Sequence, residues 1–509
     1  MSFLIAHQVY PNFFNLSGPL APISIRDQMV RAQAIVEDAI AEGLIGPPDR
    51  PLLVVGAGAA GAAAAIWAAD HRVPTTLIDR GPSAFTLQAA CTTRRIDPSQ
   101  YDWPVDHWVT PDFPCVPFPT AMRWSETFSH LLAAGWQAQL KAAEHAYPSL
   151  AVHYKTKVAG PGEKLLGGDP AAPIGWALPL DGGLTGTHNF AMVLWTVGFA
   201  PEVCTCGAYR GFAFWEEDRF VEPNCGLTAA TPADVVILGA GDGALQDFLR
   251  ITTGGLLARN ILGTFFRLAG STFLPRDQVE RELHCAEDLA QRAASWGPGR
   301  RGGATDKNDH ATLQRLHDAH DRLVQALLFV PGPAGPPFTL YPGAAAALAA
   351  LVAKATAKVR LIHSCTHFSN AYGLNRFLVL LIGRYLEALR GPGSIFIGQR
   401  RVAEPPGVVC KHPTPINPTD CLGKPHELNP TDCLGKPHEL NPTDCLGKPH
   451  ELNLEQALDC RRPVNPPVAA GMLTANVVII RHGLDNRSLP AWPPRIPLSR
   501  QLTPYHPLA

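Results

Sequence analysis

Six residues, Gly56-Ala57-Gly58-Ala59-Ala60-Gly61, follow the apolar run Leu52-Leu53-Val54-Val55 and lead straight into the small residues Ala62 to Ala69. A buried strand passing through such a turn into a helix suits a pyrophosphate. Gly56 permits the tight turn, Gly58 lets the backbone approach the phosphates, and Gly61 lets the helix pack closely on the strand. The amides at the helix start, those of Ala59 and Ala60 among them, add donors and the positive end of the helix dipole. A second strand, Thr75 to Ile78, ends in Asp79, whose carboxylate can accept hydrogen bonds from the hydroxyls of an adenosine ribose. Asp79 and the adjacent Arg80 complete this candidate site.

The elements that must position these residues read as an α/β pattern. Residues 1–50 form a helical extension whose regular part is Ser24 to Glu42, with Ile25, Met29, Ala32, Ile35, Val36, Ala39 and Ile40 at helical spacing and Ser24 as cap. After the second strand comes a long helix near Glu126 to His145. Strands follow at Ala151 to Val158 and Ile174 to Leu180, then the turn Asp181-Gly182-Gly183. Phe190 to Thr196 is a further strand, closing in Val197-Gly198-Phe199-Ala200-Pro201. Asp234 to Leu238 then runs into a second glycine turn, Gly239-Ala240-Gly241-Asp242-Gly243-Ala244.

In this order and spacing the chain resembles the two-dinucleotide-binding-domain flavoproteins, the pyridine nucleotide-dependent oxidoreductases that include thioredoxin reductase-like enzymes and flavin-containing monooxygenases. That family has a three-stranded meander leading to a strand that closes in Ala-Thr-Gly near the FAD, and the corresponding residues here are Thr196 and Gly198, with Val197 between them. Its second glycine unit, commonly Gly-x-Gly-Asp-Ser-Ala, serves NAD(P) and corresponds here to Gly239, Gly241, Asp242 and Gly243. The resemblance implies an α/β, FAD/NAD(P)-binding Rossmann-like fold with two dinucleotide-binding units, FAD on the first and NADP or NAD on the second. Asn476 to Ile480, ending Arg481-His482-Gly483, looks like the return of the chain to the FAD domain.

Three departures bear on function. No acid occurs between Asp247 and Asp277, so the second unit lacks a carboxylate where NAD ribose recognition expects one; Arg259 or Arg267 is a candidate for a 2′-phosphate. A redox dithiol is missing, since Cys204-Thr205-Cys206 has a one-residue spacing that strains a disulfide ring. The helices expected at 277–295 and 309–329 stand where strand and crossover belong, with further helices at Ala344 to Lys358 and Asn375 to Leu389 around a short strand at Val359 to His363.

Other clusters compete for attention. Tyr101-Asp102-Trp103-Pro104-Val105-Asp106-His107-Trp108 can stack on a ring system or form a packed loop. His363, Cys365, His367 and Tyr372 form a polar group after a strand. A twelve-residue unit, Asn-Pro-Thr-Asp-Cys-Leu-Gly-Lys-Pro-His-Glu-Leu, occurs three times without a difference from Asn417, Asn429 and Asn441. Its cysteines and histidines are potential zinc ligands, but identical proline-bearing copies read as a duplicated surface linker, and no metal site is expected.

With 43 basic and 44 acidic residues the net charge is −1, which argues against a polyanion partner such as nucleic acid. Hydrophobic residues at 46% support large cores, and scattered cysteines suit a cytoplasmic setting. The glycines and prolines inside the two long uncharged stretches argue against a membrane span. The expected organisation is the 1–50 extension, an FAD-binding unit at 51–234, a second unit with a helical insertion at 235–398, a linker with the repeats at 399–470, and the return at 471–509. The expected function is FAD-dependent oxidoreduction of a small-molecule substrate or acceptor using NAD(P)H. Alternatives are an FAD-only substrate oxidase and a non-catalytic flavoprotein or nucleotide-binding scaffold, with a protein partner docking through 270–400. No acid or base is assigned.

Overall fold

The computed structural model describes residues 4–17, 24–105, 110–114, 119–166, 173–198, 202–206, 209–228, 231–270, 274–296, 307–330, 339–353, 355–363, 368, 371–397, 408–410, 450–453 and 472–481. Two parallel sheets organise them, which makes the chain an α/β protein with two Rossmann-like strand, glycine turn and helix units.

The first sheet has the strand order Gln8–Tyr10, Phe13–Asn15, Met192–Trp195, Leu52–Val55, Thr75–Ile78, Leu150–His153, parallel from Phe13–Asn15 onward. Leu52–Val55 is buried along its whole length because the sheet is covered on both faces. Leu52 and Val54 face the helices Ile25–Ala41 and Ala59–Asp70, where Met29, Ile35, Val36 and the alanines of the second helix pack. Leu53 and Val55 face an antiparallel meander whose Trp176, Leu178, Leu180 and Phe190 form a separate small core. Residues 4–17 and 24–50 are therefore built into the first unit and are not an extension: Phe13 and Phe14 are buried in an added parallel strand, and the Ile25–Ala41 helix covers the glycine helix. Ser24 caps that helix, its Oγ accepting from Asp27 N at 2.9 Å.

The second sheet has the order Phe396–Ile397, Lys358–Ile362, Asp234–Leu238, Val477–Ile480, all parallel. Between its first two strands in sequence run the helices Asp242–Thr253, Ala258–Ala269, Arg276–Trp296, Lys307–Leu328 and Pro342–Val352, and Gly373–Arg390 follows the second strand. The expected strand is thus displaced along the chain by the insertion and not replaced by it. The expected return to the first unit is corrected for the described residues 472–481; the rest of 471–509 lies outside the described residues. Val477–Ile480 is apolar and buried on both faces and pairs with Val235–Leu238, and Asn476 Oδ1 accepts from Asp234 N at 2.8 Å. It is led in by a small antiparallel sheet of Val408–Cys410, His450–Asn453 and Met472–Ala475, so the stretch read as linker also contributes strands. His450, Glu451 and Leu452 of the third repeat are in that sheet; the rest of the repeats, residues 297–303, His107, Trp108, Cys365, His367, His482 and Gly483 lie outside the described residues.

Among the described residues no helix is long and apolar enough to cross a membrane, and no group of three or more His, Cys, Asp or Glu side chains is placed to hold a metal ion.

Candidate functional site

The first glycine turn sits at the carboxyl edge of the first sheet, where Gly56 donates its N–H to Ile78 O at 2.8 Å. Gly56 has φ +106°, a region that favours glycine, and a Cβ there would lie 2.8 Å from Thr196 O. At Gly61 a Cβ would overlap the Gly56 carbonyl oxygen, so the helix can lie this close to the turn only with glycine. Gly58 is different. Its φ of −78° is open to any residue, and a Cβ there meets nothing within 4 Å, so neither its own conformation nor protein packing requires glycine. That open face is where the helix Ala59–Asp70 begins without a side-chain cap, leaving the first-turn amides, Ala59, Ala60 and Gly61 included, for an external acceptor. A bulky neighbour at Gly58 would fill this cradle, and none is present.

Asp79 stands beside it and is half-buried. Its Oδ2 accepts from Ala57 N and its Oδ1 from Gly81 N, each at 2.6 Å, which fixes the carboxylate against the turn while each oxygen keeps further accepting capacity. Arg80 is exposed next to it. Thr196, buried at the end of the neighbouring strand, donates its Oγ1 proton toward Val55 O and Gly56 O, both at 2.9 Å, bolting that strand to the turn. Gly198 follows at φ +84° with open space where a Cβ would be. Gly56, Gly58, Ala59, Ala60, Gly61, Asp79, Thr196 and Gly198 are thus brought together at one sheet edge.

The second turn repeats the framework. Gly239, at φ +143°, donates its N–H to Ile362 O at 2.9 Å, and a Cβ there would overlap the Arg481 carbonyl oxygen. Gly241 has open space, and the helix Asp242–Thr253 likewise lacks a side-chain cap. A Cβ at Gly243 would lie 3.3 Å from the Phe214 ring and 3.5 Å from the Arg481 side chain. Asp242 bonds to the start of the helix Gly373–Arg390: its Oδ1 accepts from Tyr372 N at 2.9 Å and Asn375 Nδ2 at 2.8 Å. Burial raises its pKa to about 6 against those two donors.

Register identifies the residue that takes the place of Asp79 here. Val55 pairs with Ile78 and Leu238 with Ile362, so His363 follows its strand as Asp79 follows the other. His363 is buried and meets the Phe368 ring edge-on at 4.9 Å. The missing acid has an imidazole in its position, displaced by the insertion. Arg259 is not at this site: its guanidinium is engaged by Asp97 at 2.5 Å, and Arg267 is exposed in the last turn of the same helix, Ala258–Ala269. Trp103 is buried, with Nε1 donating to Glu280 Oε1 at 3.0 Å and its ring 5.2 Å from Phe377, so this residue is engaged in packing.

Two buried polar clusters escaped sequence reasoning because their members are scattered along the chain. Arg94, Asp218, Asp247, Arg250 and Arg481 form one, in which the three guanidinium groups hold the Asp247 pKa at about 2 despite burial. Glu287, His320 and Arg376 form the other, with Arg376 Nη1 and His320 Nε2 at 2.5 and 2.9 Å from Glu287 Oε1 and the imidazole pKa lowered by burial.

No protein-family model matches the chain, and no curated protein sequence matches it. Among solved structures it is similar to the thioredoxin reductase of T. acidophilum, at 10% identity over 85% of this chain and 76% of that one, TM-score 0.31. It is similar also to OTEMO in complex with FAD and NADP, at 11% identity over 65% and 64%, TM-score 0.29. A third is the bacillithiol disulfide reductase of Staphylococcus aureus, at 14% identity and TM-score 0.26; the match covers 40% of this chain and 55% of that one, about half its length.

Proposed function

We propose that this chain is an FAD-dependent oxidoreductase that takes reducing equivalents from NAD(P)H. The observation that carries the reading is the first turn, where Gly56 and Gly61 are demanded by the protein's own backbone while Gly58 has an ordinary φ and open space in front of it, room that a diphosphate would use. Gly56, Gly58, Ala59, Ala60, Gly61, Thr196 and Gly198 would line the diphosphate side of FAD, with Asp79 and Arg80 toward its adenosine. Gly239, Gly241, Asp242 and Gly243 would do the same for the nicotinamide cofactor. Bound flavin supplies two-electron redox chemistry that no side chain here offers. The chain's own residues bind and orient: helix-start amides meet phosphate charge, the Asp79 carboxylate meets hydroxyls, and Thr196 keeps the flanking strand in register.

No two cysteines of the sequence are separated by two or four residues, the spacing a redox-active dithiol takes, which favours a small organic acceptor over a disulfide. A second reading, an oxidase that draws electrons from an organic substrate without NAD(P)H, is favoured by one observation, the imidazole of His363 where the second unit would need a ribose-accepting carboxylate. The visible spectrum of the purified protein tests the first step, with flavin bands expected. Anaerobic bleaching by NADH or NADPH supports the first reading, and bleaching by organic substrates alone supports the second. Colourless protein that takes up no FAD would end both.

A further inference from the structure

We propose that Arg94 is a positioning residue that fixes the second glycine turn against the first, an inference that rests on reading both turns as cofactor sites. Arg94 ends a segment that starts on the first turn. Phe85, left-handed at φ 56°, donates its N–H to Ala57 O at 3.0 Å, and the short helix Thr86–Ala89 carries the chain on to Cys91–Arg94. At the far end the guanidinium enters the second unit. Nη1 donates to Asp247 Oδ1 at 2.8 Å, and Nη2 lies 3.3 Å from Asp218 Oδ2. Asp247 stands one helical turn beyond Gly243 and on the same face. The guanidinium also lies over the Phe214 ring, 3.7 Å from its centroid, and Phe214 Cδ2 is 3.3 Å from the place a Gly243 Cβ would take. Arg94 therefore reaches the second turn by two routes, one ionic and one through an aromatic ring.

Arg250 Nη2 donates to Asp218 Oδ1 at 2.8 Å and Arg481 Nε to Asp247 Oδ2 at 2.9 Å, closing the cluster from the other sides. Arg94, Asp218, Asp247 and Arg481 are each 8% exposed or less. A buried ion cluster is weak evidence of net stability although breaking it is costly, and the role we assign to this one is the geometry it holds. Here that geometry is the placement of the glycine helix Asp242–Thr253 relative to the segment that hangs from the first turn.

The test compares the native chain with Arg94→Met and Arg94→Lys. Flavin content and the NADPH dissociation constant should stay within about threefold, while the limiting rate of anaerobic flavin bleaching at saturating NADPH falls about tenfold or more, the size of effect a small misplacement produces. The Lys variant, which keeps charge but cannot lie flat on Phe214, should fall between. A readout without turnover accompanies it: adding FAD to the apoprotein should slow amide hydrogen exchange across Asp242–Thr253 in the native chain and not in Arg94→Met. An unchanged limiting rate, a rate lost only in proportion to flavin, or no added protection in the native helix overturns the proposal. If Arg94→Met does not fold, the Lys variant and the native exchange experiment decide. A native chain that binds flavin yet is bleached by neither nicotinamide overturns this inference and leaves the first-turn reading standing; one that takes up no FAD removes that reading too.

Discussion

Gly56 and Gly239 each donate an N–H to the last residue of the neighbouring strand, at 2.8 and 2.9 Å, and each begins a turn into a helix without a side-chain cap. Beyond that shared frame the two turns part. The third small position is Gly61 in the first and Ala244 in the second, and the residue after the neighbouring strand is Asp79 in the first and His363 in the second. Because a Cβ at Gly61 would overlap the Gly56 carbonyl whereas the Ala244 methyl is accommodated and fully buried, the second helix stands farther from its turn. Phe214 and Arg481 pack against Gly243 there. At its third position the first turn is constrained by its own backbone, whereas the second is packed beside Gly243 by side chains brought from elsewhere.

The contrast breaks most sharply at the third position. Gly61→Ala should destabilise the first unit by about 3 kcal/mol or more and strip bound flavin, since the clash is with backbone that cannot yield. Ala244→Gly should cost only about 1 kcal/mol. Thermal unfolding and flavin content of the two variants measure this, and equal losses would show that the two helices are equally close. Gly58→Val separates packing from binding. Stability should shift by no more than about 0.5 kcal/mol, because the site is open and φ is ordinary, while FAD affinity falls about tenfold or more from the bulk placed over the cradle. A variant that binds FAD as the native chain does would move the cofactor away from this turn.

Much of the first unit was legible because its parts are local: strand, turn, helix and Asp79 fall within one short stretch, and each glycine has a separate geometric reason. Phe13–Asn15 was not, since three residues carry too little periodicity to announce a strand. In the second unit the turn was equally plain, but among the described residues five helices separate Asp234–Leu238 from the strand beside it, so no fixed spacing could lead from Gly239 to His363. In the sequence His363 is only a polar residue after a strand; register gives it a place. The Arg94 cluster draws on four separated segments and leaves no spacing signal at all.

His363→Asp sharpens the difference between the turns by making the second resemble the first. A carboxylate accepts from two ribose hydroxyls and repels a 2′-phosphate, so the NADH to NADPH affinity ratio should rise about tenfold over that of the native chain. Equilibrium titration with both nucleotides measures it. An unmoved ratio would place the ribose away from His363 and remove the register argument.

Asp242 provides the smallest effect and the one whose sign is most exposed to test. Its ordinary pKa is 3.8 and burial raises it to about 6, with the Glu287 carboxylate opposing ionisation and Asn375, Tyr372 N–H and Arg376 favouring it. The folded state therefore binds this proton more tightly than the unfolded chain does. Its ionisation costs stability in full above about pH 6, and the cost is relieved as pH falls from there toward 3.8. Asp242→Asn keeps an oxygen to accept from Tyr372 and Asn375 and removes the charge, so it should be more stable than the native chain at pH 8 by on the order of 1 kcal/mol. The gap should narrow at pH 5. His7 and His317, whose pKa values burial lowers to about 4, act in the opposite direction, taking stability away as pH falls below 6.5. They are present in both chains and cancel in the difference, so denaturant unfolding at the two pH values isolates Asp242. A gap that is the same at pH 5 and pH 8 would mean that this carboxyl is better solvated than its place at the head of the second glycine helix implies.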